Sequence, residues 1–353
     1  MGNLISAYKM KKSYIYRSIL IVCIAAFASC TKIIRQEAQE CRVSYNVVST
    51  KVASAFPVDQ TFISAAYQLT SGKTWDNDKA SSTLFIDNEE VKYNSQYSFW
   101  TTDTEYHWPT DGSTLTFFSY APVSLNGLGT SISVDGVAVT DWDVTAESKK
   151  AIPIMVADIA KDKVKNESNA GFTGVPTHFR HKLSKIKFNF KVSSYADDGT
   201  TAVVKKVYIQ DIYTQGSYSK GGYSNDAWGS YTAFKGEANP LMLFDGTSST
   251  LSKGDDDMTC LVDWTMMIPQ SLVANAAGHP QIIVEYEVTD AGGVSSSQKV
   301  GCYFDENLRQ EAWEMGKQIT YNIYLGVGKY PIEFDPSVSD WSIADQGTVE
   351  IGD

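Results

Sequence analysis

Three observations predict an all-β fold made of two β-sandwich domains in tandem. Apolar and polar residues alternate in short runs along most of the chain, the period of a strand with one buried face. These runs are rich in β-branched and aromatic residues and are punctuated by Gly, Asp, Asn and Pro, while helical patterns are few. A polar, Gly-ended stretch at 161–171 separates two parts, each of a size typical of one domain.

The first element is not part of the fold. Lys9, Lys11, Lys12 and Arg17 precede an apolar run from Ser18 to Phe27, followed by Ala28, Ser29 and Cys30. A positive region, an apolar region and a small-residue site describe an export signal. The run is too short to cross ~30 Å of hydrocarbon. Cysteine directly after Ala-Ser resembles the bacterial lipobox, in which the thiol is acylated and becomes the new N-terminus. Residues 1–29 are therefore expected to be a lipoprotein signal peptide, Cys30 the lipidation site and 30–42 a lipidated N-terminal segment. Met1-Gly-Asn-Leu-Ile-Ser6 matches a myristoylation pattern by accident, and Met10-Lys-Lys is the more natural start of such a leader.

The strands follow. Val43–Val48, Thr83–Ile86 and Ser113–Tyr120 alternate in the first part; Lys185–Val192, Val204–Ile209, Gln281–Val288 and Gln318–Leu325 do so in the second. In Lys185–Val192, Ile186, Phe188, Phe190 and Val192 share one face and Lys185, Lys187, Asn189 and Lys191 the other. Pro57–Tyr67 is mixed, and Asp305–Glu314 is the one stretch expected to form a turn or two of helix. The predicted domains are 43–171 and 172–353, the second ending in a terminal strand.

Charge narrows the partners. The leader holds four of the 30 basic and none of the 41 acidic residues, so the remainder carries a net charge of −15. No basic cluster offsets this, which argues against nucleic acid and anionic headgroups. Three cysteines remain beyond Cys30. A Cys260–Cys302 disulfide suits an oxidising compartment, and two buried free thiols suit the residues equally well.

No catalytic or metal motif stands out. His107-Trp108 before Pro109 fits the border of a turn, the alternative being a sugar-stacking pair. His178 and His181 lie three apart on a predicted strand, where their side chains point to opposite faces, so they are expected to pack and not to hold a metal. Asp255-Asp-Asp257 lacks the ligand spacing of a calcium loop and reads as a solvated turn. Paired carboxylates of a glycosidase need only meet in space, and nothing in the sequence singles out a pair. No enzyme activity, cofactor or metal is expected.

Five segments, in order over about 80–350, resemble one family. Phe117-Phe-Ser-Tyr-Ala-Pro122 is similar to a Tyr-Ala-Pro segment of fimbrillins, and His178-Phe-Arg-His-Lys-Leu-Ser-Lys-Ile186 to the strand that opens their second domain. Met266-Met-Ile-Pro-Gln270 with Ile282–Tyr286, Trp313–Lys317 running into Tyr321–Leu325, and Trp341 with Thr348–Ile351 are similar to three more. The family is the Bacteroidetes fimbrillin-like (type V pilus) proteins.

The resemblance implies two transthyretin-like Greek-key β-sandwiches in tandem and a structural or adhesive subunit of a surface fimbria. It implies export to the outer membrane as a lipoprotein, then proteolytic removal of the first strand. The vacated groove would take a strand from another pilus subunit. On this chain the displaced strand would carry Val43, Tyr45 and Val47. The family's arginine after that strand is replaced by Lys51, with Arg42 and Arg35 lying before it, so these three are the candidate cleavage sites. The candidate donor strand carries Ile343, Val349 and Ile351. Expected partners are other pilus subunits, the outer membrane through lipid, and a host or bacterial surface ligand. The alternative is a lipid-anchored surface glycan-binding protein of a nutrient-uptake system, which would display exposed, coplanar Trp and Tyr rings.

Overall fold

The structure is a computed structural model that describes residues 42–47, 56–96, 98–165, 174–220, 226–326 and 333–341. Strands dominate, as the alternating pattern predicts. They form three layers of core.

The first sheet has nine strands. Its order is Val175–Thr177, Tyr45–Val47, Phe99–Thr102, Thr83–Asn94, Phe62–Leu69, Thr114–Ala121, Met155–Ala157 and Phe179–His181, with Ala160–Lys163 also on Thr114–Ala121. Its two end strands are separated in sequence by His178 alone, so one run of chain, 175–181, pairs at both ends and curls the sheet upon itself. Phe62, Trp100, Phe117 and Phe179 fill the inside. The opposite face is buried too: Ile63, Phe118 and Tyr120 pack into a second core. Burial on both faces explains why Pro57–Tyr67 shows no clean alternation. Phe62 to Ala66 are all buried, and the Ser64 hydroxyl is satisfied by the Phe118 carbonyl at 3.2 Å and the Ser119 hydroxyl at 2.9 Å.

The second core is closed by a four-stranded sheet in the order Ala227–Lys235, Ile212–Lys220, Gly136–Asp143, Thr130–Ser133. Strands from both sides of residue 171 share this sheet. The hairpin 212–235 brings Tyr218 and Trp228 across to Val137, Val139 and Trp142.

The third core lies between two sheets. One has the order Thr259–Met267, Ser184–Val192, Lys317–Leu325, Glu333–Asp340; the other Leu241–Asp245, Thr201–Gln210, Gln281–Thr289, Ser295–Tyr303. Ile186, Phe188, Phe190 and Val192 meet Val204, Val207, Ile209, Ile282, Val284 and Tyr286 there. The run 201–220 serves two sheets, changing over at Asp211, which has a left-handed φ of 62°.

One expectation is corrected. Asp305–Glu314 forms no helix: the Asn307 and Leu308 amides turn back to the Tyr303 carbonyl, and Ala312–Trp313 is a short strand. Trp313 is drawn into the core, where its indole donates to Tyr321 Oη at 3.0 Å, and a helix would not deliver it there. The only α-helix among the described residues is Trp75–Asp78, which the sequence pattern misses because it is four residues long. Cys260 and Cys302 are both free, on opposite sheets of the third core. Cys260 is exposed on an outer strand, whereas Cys302 is buried and its thiol is pushed up to about 12.

Candidate strand-exchange groove

The first described strand, Tyr45–Val47, lies inside its sheet. It pairs in parallel with Val175–Thr177 through Tyr45↔Val175, Asn46↔Pro176 and Val47↔Thr177. On its other side Tyr45 stands opposite Trp100. The Val175 amide donates to the Ser44 carbonyl at 2.7 Å, and the Val43 amide to the Tyr106 carbonyl at 2.8 Å. Gly174 permits the close approach. Its φ is +84°, and a Cβ there would stand 2.7 Å from the Ser44 carbonyl oxygen.

Alternate side chains of this segment plug the first core. Val43 and Tyr45 are 2% and 1% exposed, while Val47 is half-buried. The Tyr45 ring meets Phe62 and Phe117 edge-on at 5.6 and 5.8 Å. Beneath lie Phe56, Phe179 and Trp100, with the first two stacked at 5.1 Å. Burial pushes the Tyr45 phenol far up, so it stays neutral at any physiological pH.

Of the candidate cleavage sites, Arg42 falls within the described residues. It is bridged in the backbone to His107, and its guanidinium donates to the Thr102 carbonyl at 2.8 Å. Cys30, Arg35 and Lys51 lie outside the described residues, as do Ile343, Val349 and Ile351.

The chain approaches that last segment along Glu333–Asp340, an outer strand on Lys317–Leu325. Pro336 and the exposed Asp335 and Asp340 blunt its free edge. Trp341 then turns inward. Its amide donates to the Gly316 carbonyl at 2.8 Å, and its ring stacks on His181 at 3.8 Å and 2°. Lys185 lies over both Trp264 and Trp341, at 5.1 and 5.2 Å.

A charged cluster ties the hairpin 212–235 to the first sheet. Lys182, 2% exposed on its side chain, meets Asp226 at 2.9 Å, and Tyr218 Oη donates to the same carboxylate at 2.5 Å. Arg180 makes a two-pronged bond to Asp158, which also meets Lys220 at 3.3 Å. Burial pushes both carboxyls up, but the facing cations outweigh it and hold both below their ordinary values. Burial pulls the Lys182 ammonium down despite Asp226.

The remaining candidates are structural. Trp108 is buried edge-on to Phe117, and His107 is exposed. His181 is packed under Trp341. The Asp255 carboxylate caps its own turn by accepting from the Ser252 amide, and the Asp256 carbonyl accepts from Lys191. Among the described residues no group of three or more His, Cys, Asp or Glu side chains is arranged to hold a metal. Seven of the eight tryptophans are buried and Trp264 is partly covered.

The fold is strand-rich and built of several sheets, with the first described strand covering an apolar core. The chain belongs to the fimbrillin-like family, whose model matches residues 66–341. That is a non-enzymatic family of fimbrial and cell-adhesion proteins. Among solved structures it is similar to a fimbrial protein from Bacteroides vulgatus, with a TM-score of 0.63 and 16% identity over 86% of this chain and 100% of that one. It is also similar to a protein assigned to cell adhesion from Bacteroides uniformis, with a TM-score of 0.47 and 18% identity over 86% and 99%. A C-terminally truncated tip fimbrial protein, Mfa3 of Porphyromonas gingivalis, matches with a TM-score of 0.37 and 11% identity over 80% and 95%. Among curated proteins none matches.

Proposed function

We propose that this protein is a structural or adhesive subunit of a surface fimbria, exported as a lipoprotein through Cys30 and joined to its neighbours by strand exchange. The two halves would be transthyretin-like Greek-key sandwiches. The observation that carries the reading is the seat of Tyr45–Val47. An interior strand at the N-terminal end of the fold can leave without unthreading the rest of the chain, and its alternate side chains cover a deep apolar groove. Taking it away would leave Phe99–Thr102 and Val175–Thr177 with unpaired edges over Phe62, Phe117 and Phe179. Such a groove accepts a partner strand through backbone pairing and alternate side chains.

The removable segment must be cut on its C-terminal side. Arg42 and Arg35 precede the strand, and a cut there would free the lipid but keep the plug. Lys51 follows it and is the processing site in this reading. The donor would be the segment with Ile343, Val349 and Ile351, supplied by another subunit. Donor and groove differ, so contacts run head to tail and build an open filament at the outer membrane.

The test uses purified residues 31–353 treated with a limiting dose of lysine-specific protease. The expected product is a ladder of oligomers that survives an unboiled denaturing gel, with a new N-terminus at Val52. A trimmed chain that stays monomeric at all concentrations contradicts the reading.

A further inference from the structure

The first strand is a template for whatever replaces it. Val43, Tyr45 and Val47 face the first core, and Tyr45, in the middle, is 1% exposed. Its ring stands edge-on to Phe62 at 5.6 Å and to Phe117 at 5.8 Å. Other rings extend that wall: Phe62 lies 5.7 Å from Trp100 and 5.2 Å from Phe179, and Phe56 packs edge-on to Phe62 at 6.0 Å. All of these wall residues follow Lys51 in sequence, so they stay with the chain when the first strand is cut away. We infer that the vacated groove selects a donor strand with Phe or Tyr at its central inward position, and that its preferred neighbour is therefore a subunit other than a copy of this chain. The inference rests on the strand-exchange reading and names the class of partner within it.

The seat recognises a ring and not a hydroxyl. Tyr45 Oη is buried and makes no hydrogen bond among the described residues. The Ser64 hydroxyl that faces it donates to the Phe118 carbonyl and accepts from the Ser119 hydroxyl. What the groove rewards is an aromatic edge and face against Phe62 and Phe117, which Phe supplies as well as Tyr.

The chain's own C-terminal segment lacks that ring. Residues 342–353 read Ser-Ile-Ala-Asp-Gln-Gly-Thr-Val-Glu-Ile-Gly-Asp, with no aromatic among them. Trp341, just before, is 6% exposed, with its ring on His181 and its amide on the Gly316 carbonyl, so it is held by its own subunit. In a donated strand Ile343, Asp345, Gly347, Val349, Ile351 and Asp353 would share one face. An unpaired carboxylate in an apolar groove is costly. The register that keeps Asp345 and Asp353 out places Gly347, Val349 and Ile351 at the three inward positions, with Val349 in the Tyr45 seat. A valine there leaves unfilled space between Phe62 and Phe117, and packing weakens with the volume left empty. The segment still pairs through its backbone, so a copy of this chain is the weaker occupant and a strand with an aromatic centre displaces it.

The test uses residues 31–353 cut at Lys51, with labelled peptide 342–353 as the probe. The competitors are unlabelled 342–353, its Val349→Phe and Glu350→Phe variants, and peptide 43–50 with its Tyr45→Val variant. The Val349→Phe peptide should displace half of the probe at about a tenth of the concentration the parent needs. Glu350→Phe, which puts the ring on the opposite face, should gain nothing. Peptide 43–50 should also compete, and Tyr45→Val should weaken it about tenfold. Added before the protease, the Val349→Phe peptide should reduce the oligomer ladder to trimmed monomer at about a tenth of the parent's concentration. Direct binding of each peptide, labelled in turn, separates the two claims. Binding by the ring-bearing peptides alone supports the inference and removes the chain's own segment as the donor for this groove. Parent binding with no gain from Val349→Phe, or an equal gain from Glu350→Phe, overturns the inference and leaves strand exchange standing. No binding by any peptide overturns both.

Discussion

Tyr45 shows how one side chain can seal a groove. Its ring fills a space walled by Phe62 and Phe117, so truncation loses both apolar transfer energy and packing. Tyr45→Ala should destabilise the unprocessed chain by about 3–5 kcal/mol, read from urea midpoints, whereas Tyr45→Phe should cost less than about 1 kcal/mol. Equal losses in the two variants would show that the hydroxyl and not the ring holds the strand. At Gly174 the neighbour is backbone, which cannot swing aside. Gly174→Ala should therefore loosen the first strand, visible as faster amide exchange at Val43 and Val175, with the third core unaffected.

The charged cluster makes a prediction of opposite character. Asp158 and Asp226 have folded pKa values below their unfolded ones, so each contributes stability above its unfolded value near 4 and loses it as pH falls through the folded value. Melting temperature should be flat from pH 7 to 5 and then fall. Asp226→Ala strands the buried Lys182 ammonium and should cost about 3 kcal/mol at pH 7. A variant as stable as the parent would show that Lys182 reaches water.

Among elements, some were readable from sequence and some not, and the reason is geometric. Ser184–Val192 alternates because its outer face carries Lys187, Asn189 and Lys191 while its inner face is apolar, and the structure places those residues as the pattern predicts. Phe62–Leu69 is buried on both faces, so period two disappears from its sequence. Asp305–Glu314 has charged residues at helical spacing, but Trp313 is claimed by Tyr321 from another strand, a contact that local pattern does not contain. The hairpin 212–235 was legible as strand at neither its site nor its partner: only the third dimension shows Tyr218 and Trp228 beside Trp142. The plug at Val43–Val47 was legible as an alternating run, but its interior position between two strands of very different sequence number was not.

At the scale of the whole molecule, the first and third cores are fed by different sheets, and the hairpin and Trp341 link them. Trp341 fixes the point from which the last segment departs, against His181 at the end of the first sheet. Trp341→Ala should leave processing unchanged but shorten the oligomer ladder, because the donor segment would leave from an unfixed base. A ladder of unchanged length would assign Trp341 to stability alone.

In the proposed assembly the vacated groove takes the C-terminal segment of another subunit. The most direct measurement is the binding of a synthetic peptide of residues 341–353, fluorescently labelled, to chain cut at Lys51 and to uncut chain. Slow, saturable and nearly irreversible binding to the cut form is expected, abolished when Ile343, Val349 and Ile351 are replaced by Asp, with no binding to the uncut form. Equal binding to both forms, or none to the cut form while its first strand is shown by mass to be gone, would contradict it.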